Sequence, residues 1–464
     1  MQDLPFILSP SQSAAPIHAL RAGEWAGWIE TRSEAMKRLA AAYDFRAQAG
    51  KSLIVPGTDG SIERVLFGLG EKLDPMLFGA LSMQLPAGEY DLAAAPREIS
   101  RTLIATAWGM GAYAFDRYKP RKRPAPKLVM PDDAQADEVR RVVSAVHFAR
   151  DLINTPAGDM GPEALHAVVA SLAKECGAAL EAVVGAELLE QRYPLVHAVG
   201  RAAAEAPRLL HLSWSAPNAP ADAPIVAIVG KGVTFDTGGL DLKTDSGMRL
   251  MKKDMGGAAH ALALARLAMQ AGLPVRLELF LPIVENAVSA ASFRPGDIIK
   301  SRKGLTVEVD NTDAEGRLIL ADALTRACEE KPVLILDFAT LTGAARVALG
   351  PELPPLFTDD EALAADLLKA SSESFDPMWR LPLWAPYEDN MDSAAADLKN
   401  TGDAGMAGAI YGALFLKKFV DVKAWAHFDV YAWNGKDKPA RPAGADAHAL
   451  RACWQVLKQR FGKA

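Results

Sequence analysis

Two short stretches of the chain hold residues able to do chemistry. The first is Gly230-Lys231-Gly232 followed by Phe235-Asp236-Thr237-Gly238-Gly239, with Lys243 and Asp254 close behind. The second is Asn311-Thr312-Asp313-Ala314-Glu315-Gly316-Arg317-Leu318. Glycine-rich turns often cradle phosphate, but Gly230-x-Gly232 lacks the third glycine of a dinucleotide fingerprint, and there is no Gly-Lys-Ser/Thr of a P-loop. Asp236, Asp254, Asp313 and Glu315 bring four negative charges, enough to balance two divalent cations. Such an oxygen-rich set suits manganese, magnesium or zinc. Two ions about 3.5–4 Å apart can bridge a water and turn it into a nucleophile. Lys231 can join such a site only as the neutral amine, a form that a neighbouring dication favours. None of the eight histidines pairs at the spacing of His-Glu-x-x-His. His260 and His427 read as packing or hydrogen-bonding residues, so carboxylates are the available ligands. A simpler reading makes Asp313 and Glu315 helix-capping acids. That covers one of them, but not two acids plus an arginine in one turn of small residues.

These residues need elements to position them. Ile225–Val229, Thr306–Val309 and Val333–Leu336 read as short strands. Each ends in polar or small residues: Gly230–Gly232, Asp310–Asp313, and Asp337 with Thr340–Gly343. In α/β sheets, sites form beyond the carboxyl ends of strands. Ile319, Leu320, Ala323, Leu324 and Ala327 give the apolar face of a helix starting near Glu315. Upstream, the run 119–127 is rich in proline and charge and reads as an exposed linker. Asp132 and Asp133 then cap an expected helix to about Ile153, with Val139, Val142, Val143, Val146, Ala149 and Ile153 on one face. The chain has 464 residues, too many for one ordinary core. The expected fold is therefore α/β, with a smaller N-terminal α/β domain at 1–130, a linker helix at 131–153 and a larger catalytic α/β domain at 154–464 built on a parallel or mixed sheet.

Composition narrows the function classes. Apolar residues make up 50% and charged residues 23%, as in globular proteins, and the net charge of −6 offers no broad attraction to nucleic acid or acidic membranes. The basic run 119–127 is the only support for a nucleic-acid contact. No stretch approaches 18 uninterrupted apolar residues. Met1–Pro5 lacks the basic region and long apolar run of a signal peptide. Cys176, Cys328 and Cys453 are odd in number and far apart, which argues against a disulfide framework and for the cytoplasm.

With these motifs the sequence resembles the leucyl aminopeptidase (cytosol aminopeptidase) family. Asn311–Leu318 is a complete and specific match, supported by Gly230–Gly232 with Phe235–Gly239, by Met251 through Asp254 to Ala259, and by Ala339–Ala344, at matching intervals. Weaker echoes are Tyr113–Lys119, Asn154–Ala157, Arg294–Asp297 and Ala396–Asn400, and the likeness runs from about residue 100 to the end. The resemblance implies a metal-dependent aminopeptidase that hydrolyses the N-terminal residue from peptides, leucine and other apolar residues first, through a hydroxide held by two Mn²⁺ or Zn²⁺ ions. It implies that Asp236 and Glu315 bridge both ions, that Lys231 and Asp254 complete one shell and Asp313 the other, and that Lys243 and Arg317 are catalytic without binding metal. A bicarbonate held by Arg317 is implied as proton relay. Met251, Asn311 and Ala314 are implied as walls for the first side chain, and Thr340, Leu341 and Gly343 as backbone contacts. The implied assembly is a homohexamer. Two alternatives go with it: another two-metal hydrolase such as a phosphoesterase, and a DNA-binding or regulatory role known for some family members. The chain departs from the family at Thr244-Asp245-Ser246, where Asp245 adds a carboxylate near Lys243, and at Trp425–Asn434.

Overall fold

A computed structural model describes residues 4–8, 13–217, 219–220, 222–402 and 405–462. Met1–Asp3 of the opening segment lie outside the described residues. Contacts divide the chain into two units, Met1–His147 with Asn434–Gly444, and Phe148–Trp433 with Ala445–Ala464. The expected helix runs from Ala136 to Asn154, so this division falls within it. Asp132 and Asp133 lie in the turn ahead, and Asp137 and Glu138 occupy the first helical turn, where the helix dipole favours acids. Val139, Val142, Val143, Val146, Ala149 and Ile153 are all buried.

The first unit is built on a six-stranded sheet ordered Ile7–Leu8, Lys127–Val129, Glu89–Ala94, Ala15–Arg21, Ile62–Gly70 and Ser52–Pro56. All pairs are parallel except the last, which is antiparallel. The run 119–127 lies inside this unit and leads into Lys127–Val129, rather than linking one domain to the next. That three-residue strand is too short to show in a sequence pattern.

The second unit carries both chemical stretches. Its sheet is ordered Trp379–Arg380, Pro355–Phe357, Trp425–Asp429, Leu334–Ala339, Ile225–Gly230, Arg276–Asn286, Arg208–Ser215 and Ala179–Val184, with Gly232–Asp236 also paired to Arg276–Asn286. The four central strands from Trp425–Asp429 to Arg276–Asn286 are parallel. The strands flanking them, Pro355–Phe357 and Arg208–Ser215, run antiparallel to their neighbours, so the sheet is mixed. Central parallel strands are covered on both faces, which is why Val226–Val229 is an unbroken apolar run and fully buried. Ala227 and Val229 pack in one cluster with Leu318, Ile319 and Leu320 of the helix Glu315–Glu329. Residues of the other parity face the helix Gly256–Gln270, and a Cβ on Gly230 would stand 2.7 Å from Ala258 Cα. Only glycine allows that approach, which carries the chain from the strand end into Lys231. Thr306–Glu308 joins a separate small sheet with Ile298–Lys300 and Leu398–Lys399, which sets the following turn Asp310–Ala314 over the main sheet's carboxyl edge.

Candidate metal centre and substrate cleft

Each acidic residue is delivered by a different strand end or turn. Lys231 sits between the strands Ile225–Gly230 and Gly232–Asp236, and its backbone N–H donates to Phe338 O at 3.0 Å. Asp236 ends the second of these strands; its Oδ1 accepts from Gly238 N and from Asn286 Nδ2, both at 2.9 Å. Asp254 lies in the 3₁₀ turn Met251–Met255, where Thr340 Oγ1 donates to its Oδ1 at 2.7 Å. Asp313 is in the turn before the helix, its N–H held by Asn311 Oδ1 at 2.7 Å. Glu315 is the first residue of the helix Glu315–Glu329, which begins with no side-chain cap. Capping is therefore not what these two acids do.

The side chains converge. Ligand atoms of Asp236, Asp313 and Glu315 all lie within 4.8 Å of one another. Lys231 Nζ stands 2.8 Å from Asp254 Oδ2 and 2.9 Å from Glu315 Oε1 as ion pairs, and donates to Thr340 O at 2.9 Å. Lys243 Nζ pairs with Asp236 Oδ2 at 2.8 Å and with Asp313. Four carboxylates face two ammonium groups, so two negative charges are left over, mostly out of water. Burial and the charge of Asp236 push the Glu315 carboxyl up to about 8, and the same causes push Asp313 up to about 6. Burial works against the ammonium of Lys231, but Asp254, Glu315 and Asp236 outweigh it and hold the group above its ordinary range. Both oxygens of Glu315 and Oδ2 of Asp254 are buried without a well-aligned hydrogen-bond donor. Surplus negative charge and undonated carboxylate oxygens are what a divalent cation relieves, so the donor set fits metal.

Gly316 was not singled out in the sequence. A Cβ there would lie 2.5 Å from Lys231 Cε and 2.7 Å from its Nζ. Any larger residue would force the lysine end away from its three partners. The signal was available as a glycine, a poor helix former, in a helix's first turn. Asn400 stood out only as a weak echo. Its side chain accepts from Asp310 N and Asn311 N and donates to Asn311 O and Ala314 O, and its own carbonyl accepts from Arg317 Nη1 at 2.7 Å. Asp429 accepts from Leu341 N, Thr342 N and Thr342 Oγ1, fixing the loop Thr340–Gly343.

The candidate substrate residues are divided between two adjoining cavities. One of about 690 Å³ is lined by Lys231, Asp236, Lys243, Asp254, Met251 and Thr340. The other, of about 840 Å³, is lined by Asn311, Ala314, Arg317, Met406, Ile410 and Tyr411. Asp313, Leu341 and Gly343 border both. Met251 is thereby separated from Asn311 and Ala314, with which the sequence reading groups it; Glu315 lines neither cavity. Arg317 is buried, which lowers its guanidinium to about 10, and its Nε has no acceptor among the described residues. His260 and His427 stay out of the cluster. His260 bonds Gly256 O and accepts from His448 N, and His427 pairs with Asp337 at 2.5 Å. Asp245 is exposed at the start of a short helix capped by Thr244 and does not line the cavity, so the departure at 244–246 adds a cap rather than a charge beside Lys243.

Buried acids and lysines gathered at the carboxyl edge of a mixed α/β sheet define a site of the metal-binding type. The comparisons fix the family. Residues 147–454 match the model of the cytosol aminopeptidase family, catalytic domain, and residues 15–131 that of the M17 aminopeptidase N-terminal domain. The chain is 40% identical over 366 residues to a probable cytosol aminopeptidase of Syntrophotalea carbinolica, covering 75% of this chain and 73% of that protein. The crystal structure of a cytosol aminopeptidase from Coxiella burnetii superposes with a TM-score of 0.93 at 44% identity, covering 98% and 99% of the two chains. The bottromycin maturation enzyme BotP in complex with Mn gives 0.86 at 32%, covering 97% and 99%. The chain belongs to the cytosol aminopeptidase (M17) family, and is thus a metal-dependent aminopeptidase, a hydrolase acting on peptide bonds. No helix among the described residues is long and apolar enough to cross a membrane.

Proposed function

We propose that this aminopeptidase works with two divalent ions, Mn²⁺ or Zn²⁺, held jointly by Asp236 and Glu315, with Lys231 and Asp254 on one ion and Asp313 on the other. The observation that carries this reading is the convergence of Asp236, Asp313 and Glu315 within 4.8 Å beside a cavity large enough for an amino-acid residue. When bound, such a pair activates water as a nucleophile and polarises the scissile carbonyl. Lys231 is an ammonium among its carboxylates and must give up a proton to become a ligand. Lys243 reaches the cluster from the cavity side and offers positive charge to the carbonyl oxygen as it becomes an oxyanion. Leu341, held by Asp429, and its neighbours Thr340 and Gly343 align the peptide backbone. Met251 lines the space for the first side chain, with leucine and other apolar residues accepted; Asn311 and Ala314 face the second residue of the peptide. The proposed assembly is a homohexamer, and the proposed compartment is the cytoplasm, in keeping with three free cysteines.

Exhaustive chelation should abolish hydrolysis of leucyl amides, and Mn²⁺ or Zn²⁺ should restore it. Full activity in the chelated, metal-free protein would contradict the reading. Arg317 is proposed to hold bicarbonate: a guanidinium is a poor base, but it binds a planar anion by parallel hydrogen bonds, and its Nε is free of acceptors among the described residues. Adding bicarbonate to carbonate-depleted buffer should raise activity. Arg317→Ala should lose most of that response and fall by roughly 10²-fold. Equal bicarbonate dependence in both proteins at matched metal content would leave Arg317 as a charge-balancing residue only.

A further inference from the structure

One wall of the smaller cavity has no part in the chemistry above. Lys253, Arg346 and Tyr431 line it, in the same cavity as Lys231, Asp236 and Asp254. Lys253 is only 6% exposed, and its Nζ lies 4.8 Å from the centroid of the Tyr431 ring. Arg346 lies against the same ring, its guanidinium carbon 5.1 Å from the centroid, and its Nη1 donates to Tyr431 Oη at 3.2 Å. Among the described residues neither cation is ion-paired with a carboxylate. The nearest acids are engaged elsewhere: Asp254 by Lys231 and Thr340, and Asp429 by the loop Leu341–Thr342. A cation buried without an anion is unfavourable, and a ligand that brings the anion relieves it through charge-assisted hydrogen bonds.

We propose that Lys253, Arg346 and Tyr431 form a carboxylate-binding subsite, so that this enzyme takes acidic peptides as well as apolar ones, foremost those with Glu or Asp as the first residue. The inference rests on the aminopeptidase reading of the same cavity. Asp313, Leu341 and Gly343 border both cavities, which sets the scissile bond between them. The first residue then fills the cavity with Met251 and the acidic cluster, and its side chain meets the cationic wall. The leaving peptide fills the more apolar cavity of Met406 and Ile410. The free chain end of a very short peptide carries the same group but lies on the leaving side, so it serves as the control.

The test uses the metal-loaded full chain with glutamyl- and glutaminyl-p-nitroanilide, which differ only in the charge of the first side chain. A parallel arm compares leucyl-glycine with leucyl-glycinamide, which differ only in the charge of the chain end. The expected kcat/KM for glutamyl over glutaminyl substrate is roughly 10-fold, since a site built for a polar group rejects an analogue lacking it. Arg346→Gln and Lys253→Met should each bring that ratio toward one; Arg346 is exposed, so its variant keeps the test independent of any folding effect at Lys253. If the charge effect and its loss appear only in the leucyl-glycine arm, the carboxylate is read on the leaving side and the first-residue subsite is overturned. Ratios near one in both arms, or ratios unchanged in both variants, with leucyl-p-nitroanilide cleaved throughout, would overturn the subsite alone. Failure of the wild type to cleave leucyl-p-nitroanilide would overturn the aminopeptidase reading with it.

Discussion

Glu315→Gln is expected to remove turnover almost completely, by at least about 10³-fold, while the protein stays folded. Glu315 is fully buried at the start of its helix, and both of its oxygens lack an aligned donor. It is also the carboxylate that Lys231, Asp236 and Asp313 all approach. The amide keeps the shape but removes the charge that two cations would share. The fold should tolerate the change, because burial and Asp236 already push this carboxyl up to about 8. Metal analysis after purification should show fewer than two ions per chain, with circular dichroism unchanged. Two ions per chain with normal turnover would remove Glu315 from the metal centre.

Lys243→Ala should lower kcat by roughly 10²–10³, about 3–4 kcal/mol, with a smaller effect on KM. The lysine is half-buried and faces the cavity, and its partners Asp236 and Asp313 keep it above its ordinary range against the opposing effect of burial. A positive charge at this place matters most when the substrate oxygen becomes negative, which is why kcat should bear the loss. A change confined to KM would mean that Lys243 only holds the substrate. Lys243→Arg should recover part of the rate, since it keeps the charge but not the compact ammonium geometry.

The acidic cluster was legible because Asp236, Asp313 and Glu315 sit in two compact motifs, Gly230–Gly239 and Asn311–Leu318, whose residue types have few other uses together. The buried central strands were legible for the same local reason, since Ile225–Val229 announces itself by apolar content. What escaped depends on distant residues meeting. Lys253, Arg346 and Tyr431 share a cavity wall though scattered over 179 positions from first to last. Asn400 acts on a turn some ninety residues earlier through its side-chain amide. Strands of two or three residues, such as Leu398–Lys399 and Lys127–Val129, have no pattern of their own; their neighbours define them. Gly316 was hidden by its setting in a good motif, where its small size becomes meaningful only once Lys231 lies against it.

The central claim, that this chain recognises and removes a free amino-terminal residue, is tested most directly by one paired rate measurement. Leucyl-glycinamide and its N-acetyl derivative differ only in the charge and bulk at the α-amine. With the metal-loaded enzyme, release of glycinamide from the free-amine substrate should be rapid, and release from the acetylated one at least about 10³-fold slower, as expected where an unpaired polar site rejects its analogue. Comparable rates on the two substrates would contradict the claim and make the chain an amidase that does not read the amino terminus.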